Sequence, residues 1–169
     1  MDVLEAIYTR RSIRKYTDKD IDEDTLRSIL RAGFYAPSAT NQRPWHFVII
    51  KDKEMLIKIS QKHPYAKMLP GAACCIVVCG DKTKQEKTGF LVEDCSAAIE
   101  NMLLATHGLG LGAVWLSLYP ISSRSKPIGQ LLNIPQHIIP VGMIAIGYKA
   151  EERTTKERFN EERLHFEKW

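Results

Sequence analysis

The chain has 169 residues, of which 44% are hydrophobic and 26% are charged. This composition is typical of a folded globular protein and excludes an intrinsically disordered chain. The net charge of +4 arises from 24 basic and 20 acidic residues that are interleaved along the sequence. A nucleic-acid-binding protein concentrates its positive charge, with aromatic side chains, on one face. We therefore expect no nucleic-acid partner.

Four cysteines lie close together, and three of them fall within the continuous apolar run of residues 72–79. No C-x-x-C pair and no histidine at zinc-ligand spacing accompanies them, so we predict buried core thiols and no metal site. The sequence has neither a secretory signal pattern nor a long uncharged apolar segment. From this we expect a cytoplasmic protein that makes no use of a membrane.

The spacing of apolar residues predicts alternating helices and strands. Asp20 and Glu23 resemble a capping box in front of the second helix. In chain order, the pattern predicts a helix over about residues 2–10, a helix over 21–36, a strand over 45–50, a helix over 52–59, a strand over 72–79, a helix over 91–107, a strand over 113–119, a helix over 125–132 and a strand over 140–147. This order favours a single layered domain of the α/β or α+β class with four or five strands.

The predicted helix over residues 91–107 is apolar around most of its circumference. Its charged residues exclude a membrane span, and a helix of this kind needs burial on several sides, which a subunit interface provides.

The tail of residues 150–169 is highly charged but also contains four large apolar residues, Phe159, Leu164, Phe166 and Trp169. We expect this tail to dock on a partner subunit.

A basic segment at residues 10–14 consists of Arg10, Arg11, Ser12, Ile13 and Arg14. Guanidinium groups match phosphate oxygens in pairs and keep their charge at any working pH, so the segment is a candidate phosphate site. The alternative is a solvated helix end, at which arginines offset the helix dipole.

A polar loop at residues 37–45 places hydrogen-bonding side chains between two prolines. Ordinary turn chemistry accounts for such a loop, but the loop together with the basic segment favours a phosphorylated, partly planar cofactor.

Gly108, Gly110 and Gly112 follow a predicted helix and precede a strand. That is the reverse of the dinucleotide-binding order, so these glycines are predicted to end the helix.

These segments, together with residues 108–115 and 144–148, resemble the short members of the flavin-dependent nitroreductase family, and the resemblance spans nearly the whole chain. It implies an α+β fold in which helices flank a central, mostly antiparallel sheet. It also implies an intertwined homodimer with two flavin mononucleotide (FMN) sites at the interface, and NADH or NADPH as the co-substrate.

The resemblance implies cofactor-binding residues in three places and no catalytic side chain, because the flavin carries the chemistry. The FMN phosphate and ribityl chain are expected to contact Arg10, Arg11, Ser12 and Arg14, joined from the tail by Lys156 or Arg158. The flavin of the partner subunit is expected to contact Pro37, Ser38, Ala39 and Asn41. The reactive edge of the flavin ring is expected beside the backbone of Leu116 and Ser117. Many relatives have glycine where Ser117 stands.

The implied reaction is a ping-pong cycle. Reduced nicotinamide gives hydride to flavin N5 and leaves, and a nitroaromatic, quinone or free flavin then takes its place. Alternatives are a reductive dehalogenase or ene-type reductase on the same scaffold, and a flavin-binding protein with little turnover.

Overall fold

The computed structural model describes residues 1–169 as five helices, four strands and three short 3₁₀ turns. The helices are α1 (Val3–Thr9), α2 (Glu23–Phe34), α3 (Lys53–Lys62), α4 (Thr88–Gly108) and α5 (Ser122–Leu131). The strands are β1 (Trp45–Ile50), β2 (Cys74–Asp81), β3 (Leu111–Ser117) and β4 (Ile138–Tyr148). None of the helices combines the length and the apolar composition needed to cross a membrane.

The strands form one sheet in the order β1-β2-β4-β3, and every neighbouring pair is antiparallel. All residues of the central strand β2 are buried, because helices cover both faces of the sheet. This explains why its sequence is continuously apolar instead of alternating. The predicted α+β class with a central antiparallel sheet is confirmed.

Two apolar layers sit on opposite faces of the sheet. One layer joins α2 and α4 to Cys74, Ile76 and Val78, and the other joins α3 and α5 to Cys75, Val77 and Cys79. The side chains of β2 thus alternate between the layers, as the pleat of a strand requires. All the cysteines are free and buried, as predicted for core thiols.

The helix α2 begins after Asp22, whose side chain accepts a hydrogen bond from the Thr25 N–H at 2.8 Å. The predicted capping box of Asp20 and Glu23 is therefore wrong. Asp20 lies before the helix and accepts from the N–H of Ile21 at 2.9 Å. Ile21 and Leu26 are both buried in the core layer that contains α2, and their positions on either side of the first turn set where the helix begins.

The apolar surface of α4 is covered largely by this chain itself. Its residues Leu91, Cys95, Ala98, Ile99, Met102 and Leu103 are buried in the layer shared with α2 and the sheet. A subunit interface is therefore not needed to explain the composition of this helix. The large apolar side chains that remain exposed include Val3, Leu4, Ile7 and Tyr8 on α1 and Phe159, Leu164, Phe166 and Trp169 in the tail.

Other element boundaries differ from the prediction by a few residues. The helix α4 begins at Thr88 and β3 begins at Leu111, both earlier than the apolar pattern indicated. Gly108 is the last residue of α4, and Gly110 has a φ of +81°, so these glycines end the helix as predicted.

Candidate functional site

The basic segment (residues 10–14) follows α1 and lies along the outer edge of β3. Ile13 N–H donates to the Ala113 carbonyl at 2.9 Å, and Ser12 forms a parallel bridge with Ala113. The Ile13 side chain is buried against Gly112, where a Cβ atom would lie 2.8 Å from the Ile13 Cβ. Since no side chain fits in that space, glycine at position 112 lets the basic segment approach the sheet.

Tyr16 holds the end of the same segment. Its hydroxyl donates to the Ile13 carbonyl at 2.6 Å and lies 3.2 Å from the Ala145 carbonyl. The ring packs over Gly147, where an added Cβ would lie 2.9 Å from it. Burial raises the pKa of Tyr16, so its hydroxyl remains a proton donor across the physiological range.

Glu151 fixes the backbone between these two anchors. Its carboxylate accepts from the N–H groups of Arg14 at 2.7 Å and Lys15 at 3.2 Å. The hydrogen bond from Arg14, followed in importance by the charge of Arg153, lowers the pKa of Glu151. The backbone of the basic segment is thus hydrogen-bonded to the fold, whereas the Arg14 side chain is exposed.

An open cavity of about 580 Å³, here named the front cavity, lies beside the C-terminal end of β3. The predicted residues Arg14, Leu116 and Ser117 all line it, although they are far apart in the sequence. Lys67 and Arg124 also line it, and no carboxylate does. The cavity therefore combines apolar surface with a strongly positive electrostatic environment.

His63 forms the wall of the front cavity nearest to Ser117. It is buried, with 2% of its surface exposed, and its Nε2 lies 3.0 Å from the Ser117 carbonyl oxygen. The Tyr65 N–H donates to His63 Nδ1 at 3.3 Å. Because Nδ1 accepts, Nε2 carries the proton and donates to Ser117. This pair of bonds fixes the end of β3 against the connection that follows α3.

Trp115 Nε1 is a buried donor for which the protein provides no acceptor. The residue lines the front cavity, and its indole nitrogen lies 2.5 Å from where a Cβ on Gly142 would stand. Buried polar atoms in folded proteins nearly always have a partner. A Cβ at the same place would also lie 3.1 Å from the Ile99 Cδ1, so the indole nitrogen faces the layer that contains α4 and not the front cavity.

The tail residues Lys156 and Arg158 lie beside Arg11 in a second cavity of about 660 Å³. Partial desolvation, followed by the charges of Arg158 and Arg10, lowers the pKa of Arg11. Arg10 instead pairs with Glu100 on α4, with Nε and Oε1 3.4 Å apart. Within one chain, the arginines of the basic segment therefore lie in three different places: Arg14 lines the front cavity, Arg11 lines the second cavity and Arg10 pairs with α4.

The polar loop is held at the N-terminal half of α4. Ala39 N–H donates to the Asp94 carboxylate at 2.8 Å, and Arg43 N–H donates to the Ser38 hydroxyl at 2.9 Å. Thr40, Asn41 and Arg43 have φ values of 50°, 58° and 48°, a conformation uncommon for residues other than glycine. None of the predicted residues Pro37, Ser38, Ala39 and Asn41 lines the front cavity of its own chain.

Seven residues of the front cavity were not predicted as site residues from the sequence, and four of these have polar or charged side chains, namely His63, Tyr65, Lys67 and Arg124. They lie in the connection after α3 and in the first turn of α5, and no spacing motif links them. The only local signal is the polar and aromatic composition of residues 63–65 directly after a helix.

The residues of the front cavity fit FMN. The guanidinium of Arg14 suits a phosphate, the backbone and apolar surface at the end of β3 suit a planar ring, and the absence of carboxylates avoids repulsion of an anion. No group of three or more side chains is arranged as metal ligands.

Fold and site together define an α+β protein with a cation-lined ligand cavity at the end of an edge strand. Its sequence matches the Nitroreductase family over residues 7–64 and 56–148. The chain belongs to this family, and the resemblance seen in its sequence is confirmed.

The chain is similar to several named proteins along its full length. A relative from Methanothermobacter thermautotrophicus with the provisional name NADH dehydrogenase/NAD(P)H nitroreductase is 49% identical over 100% of this chain and 88% of its own. A crystal structure from Parabacteroides distasonis with the same provisional name has a TM-score of 0.94 and 38% identity, and covers 98% of both chains. A crystal structure from Desulfovibrio desulfuricans, provisionally named a nitroreductase and in complex with FMN, has a TM-score of 0.87 and 33% identity, and covers 100% of this chain and 98% of its own.

Proposed function

We propose that this protein is an NAD(P)H-dependent flavin oxidoreductase that uses FMN and reduces a nitroaromatic, quinone or flavin acceptor. The observation that carries the proposal is the front cavity, in which Arg14 stands beside the strand end at Leu116 and Ser117 without any carboxylate. Membership of the Nitroreductase family and the FMN complex of a relative 33% identical to this chain support the choice of cofactor.

The proposed roles of the residues follow from their chemistry. Removing a phosphate from water requires compensating charge and donors, which Arg10, Arg11, Ser12 and Arg14 would provide together with Lys156 or Arg158 from the tail. The backbone of Leu116 and Ser117 would lie against the ring, and His63 keeps that strand end in place through its bond to Ser117. Bound FMN supplies the hydride chemistry, so the protein needs no nucleophilic side chain.

The two substrates would use the front cavity in turn. It is the cavity that contains the strand end expected at the reactive edge of the flavin, and it is open to solvent. Reduced nicotinamide would therefore enter, react and leave before the acceptor enters, which is a ping-pong order.

A homodimer would complete each site. The apolar side chains of α1, which include Val3, Leu4 and Tyr8, are more than half exposed, and an interface would cover them. The polar loop lines no part of the front cavity in its own chain, and in the dimer its residues 37–41 would contact the flavin of the neighbouring subunit. The exposed tail would dock across the same interface.

The test is FMN affinity in arginine variants, combined with turnover by the unmodified protein. We expect Arg14→Ala and Arg10→Ala each to weaken FMN binding about 10- to 100-fold, the loss of one charge-assisted bond of about 1.5–3 kcal/mol. Arg27→Ala is the matched control, because Arg27 is exposed on α2 and pairs only with Glu23. Its FMN affinity should equal that of the unmodified protein.

The same preparation decides the reaction class. The purified protein should be yellow and should oxidise NADH or NADPH with nitroaromatic, quinone or flavin acceptors under anaerobic conditions. A colourless protein that gains no flavin from added FMN would refute the proposal. A yellow protein that oxidises neither nicotinamide with any acceptor would instead be a flavin-binding protein.

A further inference from the structure

The acidic residues are absent from two long parts of the chain. None of the 20 lies in residues 55–80 or 101–150, whereas these two parts contain six of the 24 basic residues. The rest of the chain therefore has 18 basic and 20 acidic residues, a net charge of −2. Most of α3, all of α5 and three of the four strands come from the two parts without acidic residues. The excess positive charge of the chain thus belongs to one portion of the fold.

Five of these six basic residues lie on the side of the sheet that α3 and α5 cover, and we name this surface the basic face. They are Lys58, Lys62, Lys67, Arg124 and Lys126. None of the five forms an ion pair with a carboxylate of the chain, whereas the sixth, Lys149, pairs with Glu152. The acidic residues of α3 stand at its N-terminal end, and the front cavity adjoins its C-terminal end. The charge of the basic face beside the cavity is therefore not neutralised.

Exposed apolar side chains lie between the basic face and the front cavity. Tyr65, Tyr119 and Ile121 are each more than a third exposed. Tyr65 lines the cavity and lies against Arg124, with the guanidinium carbon 5.0 Å from the ring centre. The other two lie between α5 and the strand end at Ser117. Exposed aromatic side chains with arginine are typical of surfaces that bind another protein.

We propose that the basic face is the docking surface for a small acidic electron-carrier protein, which gives single electrons to the flavin. The proposal rests on the proposed function, which places the reactive edge of the flavin beside Ser117 in the front cavity. A carrier docked on the basic face next to the cavity would bring its redox group close to that edge. Opposite charges steer such encounters, and the contacts between electron-transfer proteins are small.

The electrons and protons of this reaction balance. Two reduced carriers, docking in turn, would each give up one electron and leave oxidised. One proton from solvent would form the N–H bond at flavin N5, so that two electrons and one proton equal the hydride that NADH or NADPH supplies. A nucleic acid or an anionic membrane would also be attracted to positive charge, but neither has electrons to give to a flavin. The position of the basic face beside the cavity therefore favours a carrier protein.

The experiment measures docking of a ferredoxin, a small acidic iron–sulfur protein, on the holoprotein by titration calorimetry at low salt. The test variant is Lys58→Glu combined with Lys62→Glu, since both lysines are exposed and neither lines the front cavity. We expect each substitution to raise the Kd for ferredoxin about 3-fold and the pair to raise it about 10-fold. Added salt should weaken docking on the unmodified protein and reduce the difference between it and the variant.

Arg27→Glu is the matched control, because it makes the same kind of charge reversal on α2, which covers the opposite side of the sheet. Its Kd for ferredoxin should equal that of the unmodified protein. Cytochrome c, a basic electron carrier, should not dock on any of these proteins. A second double variant, Lys58→Gln with Lys62→Gln, removes the charges without adding acidic groups to α3, and it should raise the Kd about 3-fold.

Rapid mixing under anaerobic conditions measures electron transfer itself. At ferredoxin concentrations below the Kd, the rate at which reduced ferredoxin bleaches the flavin absorbance should fall about 10-fold in the Lys58→Glu and Lys62→Glu double variant. Bleaching by NADH or NADPH should change less than about 2-fold, because neither lysine lines the front cavity. An unchanged FMN affinity in the variant shows that the site is intact.

Equal Kd values for ferredoxin in the unmodified protein and the variants would overturn the proposal, as would docking without electron transfer. Tighter binding of anionic lipid vesicles or duplex DNA than of ferredoxin would also overturn it. A holoprotein that oxidises NADH or NADPH but binds no ferredoxin would refute this proposal and leave the proposed function intact. An unmodified protein that binds no FMN would refute the proposed function itself.

Discussion

Gly112→Ala tests whether the contact of the basic segment with β3 builds the phosphate site. An added Cβ would lie 2.7 Å from the Ile13 Cγ2, 2.8 Å from the Ile13 Cβ and 2.9 Å from the Lys149 Cγ. The Ile13 Cβ is attached directly to the backbone, so a rotamer change cannot relieve the contact. The segment itself must move away from the sheet.

The expected change in the free energy of unfolding of Gly112→Ala is the difference between two opposing effects. Overpacking of this kind costs about 1–3 kcal/mol, whereas replacing glycine by alanine in a strand gains about 0.5–1 kcal/mol in chain entropy. We expect a net loss of about 1–2 kcal/mol in the free energy of unfolding. The larger effect should be on FMN, because displacement of the basic segment moves the arginines of the phosphate site. The Kd for FMN should rise about 10-fold or more.

The assay is quenching of FMN fluorescence on binding, with urea unfolding measured on the same samples. Gly89→Ala is the matched control, because nothing lies within 4 Å of its added Cβ. Adding Ile13→Ala to Gly112→Ala should recover part of the FMN affinity, since it removes the nearest methyl group. If Gly112→Ala binds FMN and unfolds like the control, the basic segment does not depend on this contact and the reasoning fails.

Two further predictions concern buried groups. Asp94→Ala removes the acceptor of the Ala39 N–H, so the unfolding free energy should fall by about 1 kcal/mol. Limited proteolysis should then cut the polar loop faster, whereas equal rates in Asp94→Ala, Asp94→Asn and unmodified protein would exclude this role. Burial raises the pKa of Cys74, Cys79 and Cys95 to about 12. Unfolded thiols ionise near pH 8.5, so the unfolded state binds fewer protons above that pH and stability falls as the pH rises, by about 1 kcal/mol per thiol at pH 9.5. Urea unfolding at pH 7.5 and 9.5 measures this decrease, and a constant unfolding free energy would contradict it.

The order of helices and strands could be predicted because it depends on short-range patterns. The unbroken apolar sequence of β2 indicated a strand covered on both faces, and the glycines after α4 indicated its end. The first and last residues of the helices and strands were harder to predict from the sequence. Asp20 and Asp22 have the same capping chemistry, and only the burial of Ile21 selected Asp22 as the cap of α2.

The candidate site was predictable only where a compact segment carries its chemistry. Residues 10–14 concentrate guanidinium groups, and this pattern with the polar loop was sufficient for the family resemblance. The assignment of α4 to a subunit interface was unnecessary, because composition shows that a helix needs cover but not which element provides it. In the structure, α2 and the sheet provide most of it.

The sequence by itself determined the class of fold, the family and the position of the basic segment, because each follows from residues that are neighbours in the chain. Only the tertiary structure decided which cations meet in one cavity. Arg14, Lys67 and Arg124 come from the connection after α1, the connection after α3 and the first turn of α5, and they line the same space beside Ser117. The physical reason is that a cavity is defined by distances between segments, and such distances arise only when the sheet and its helices pack.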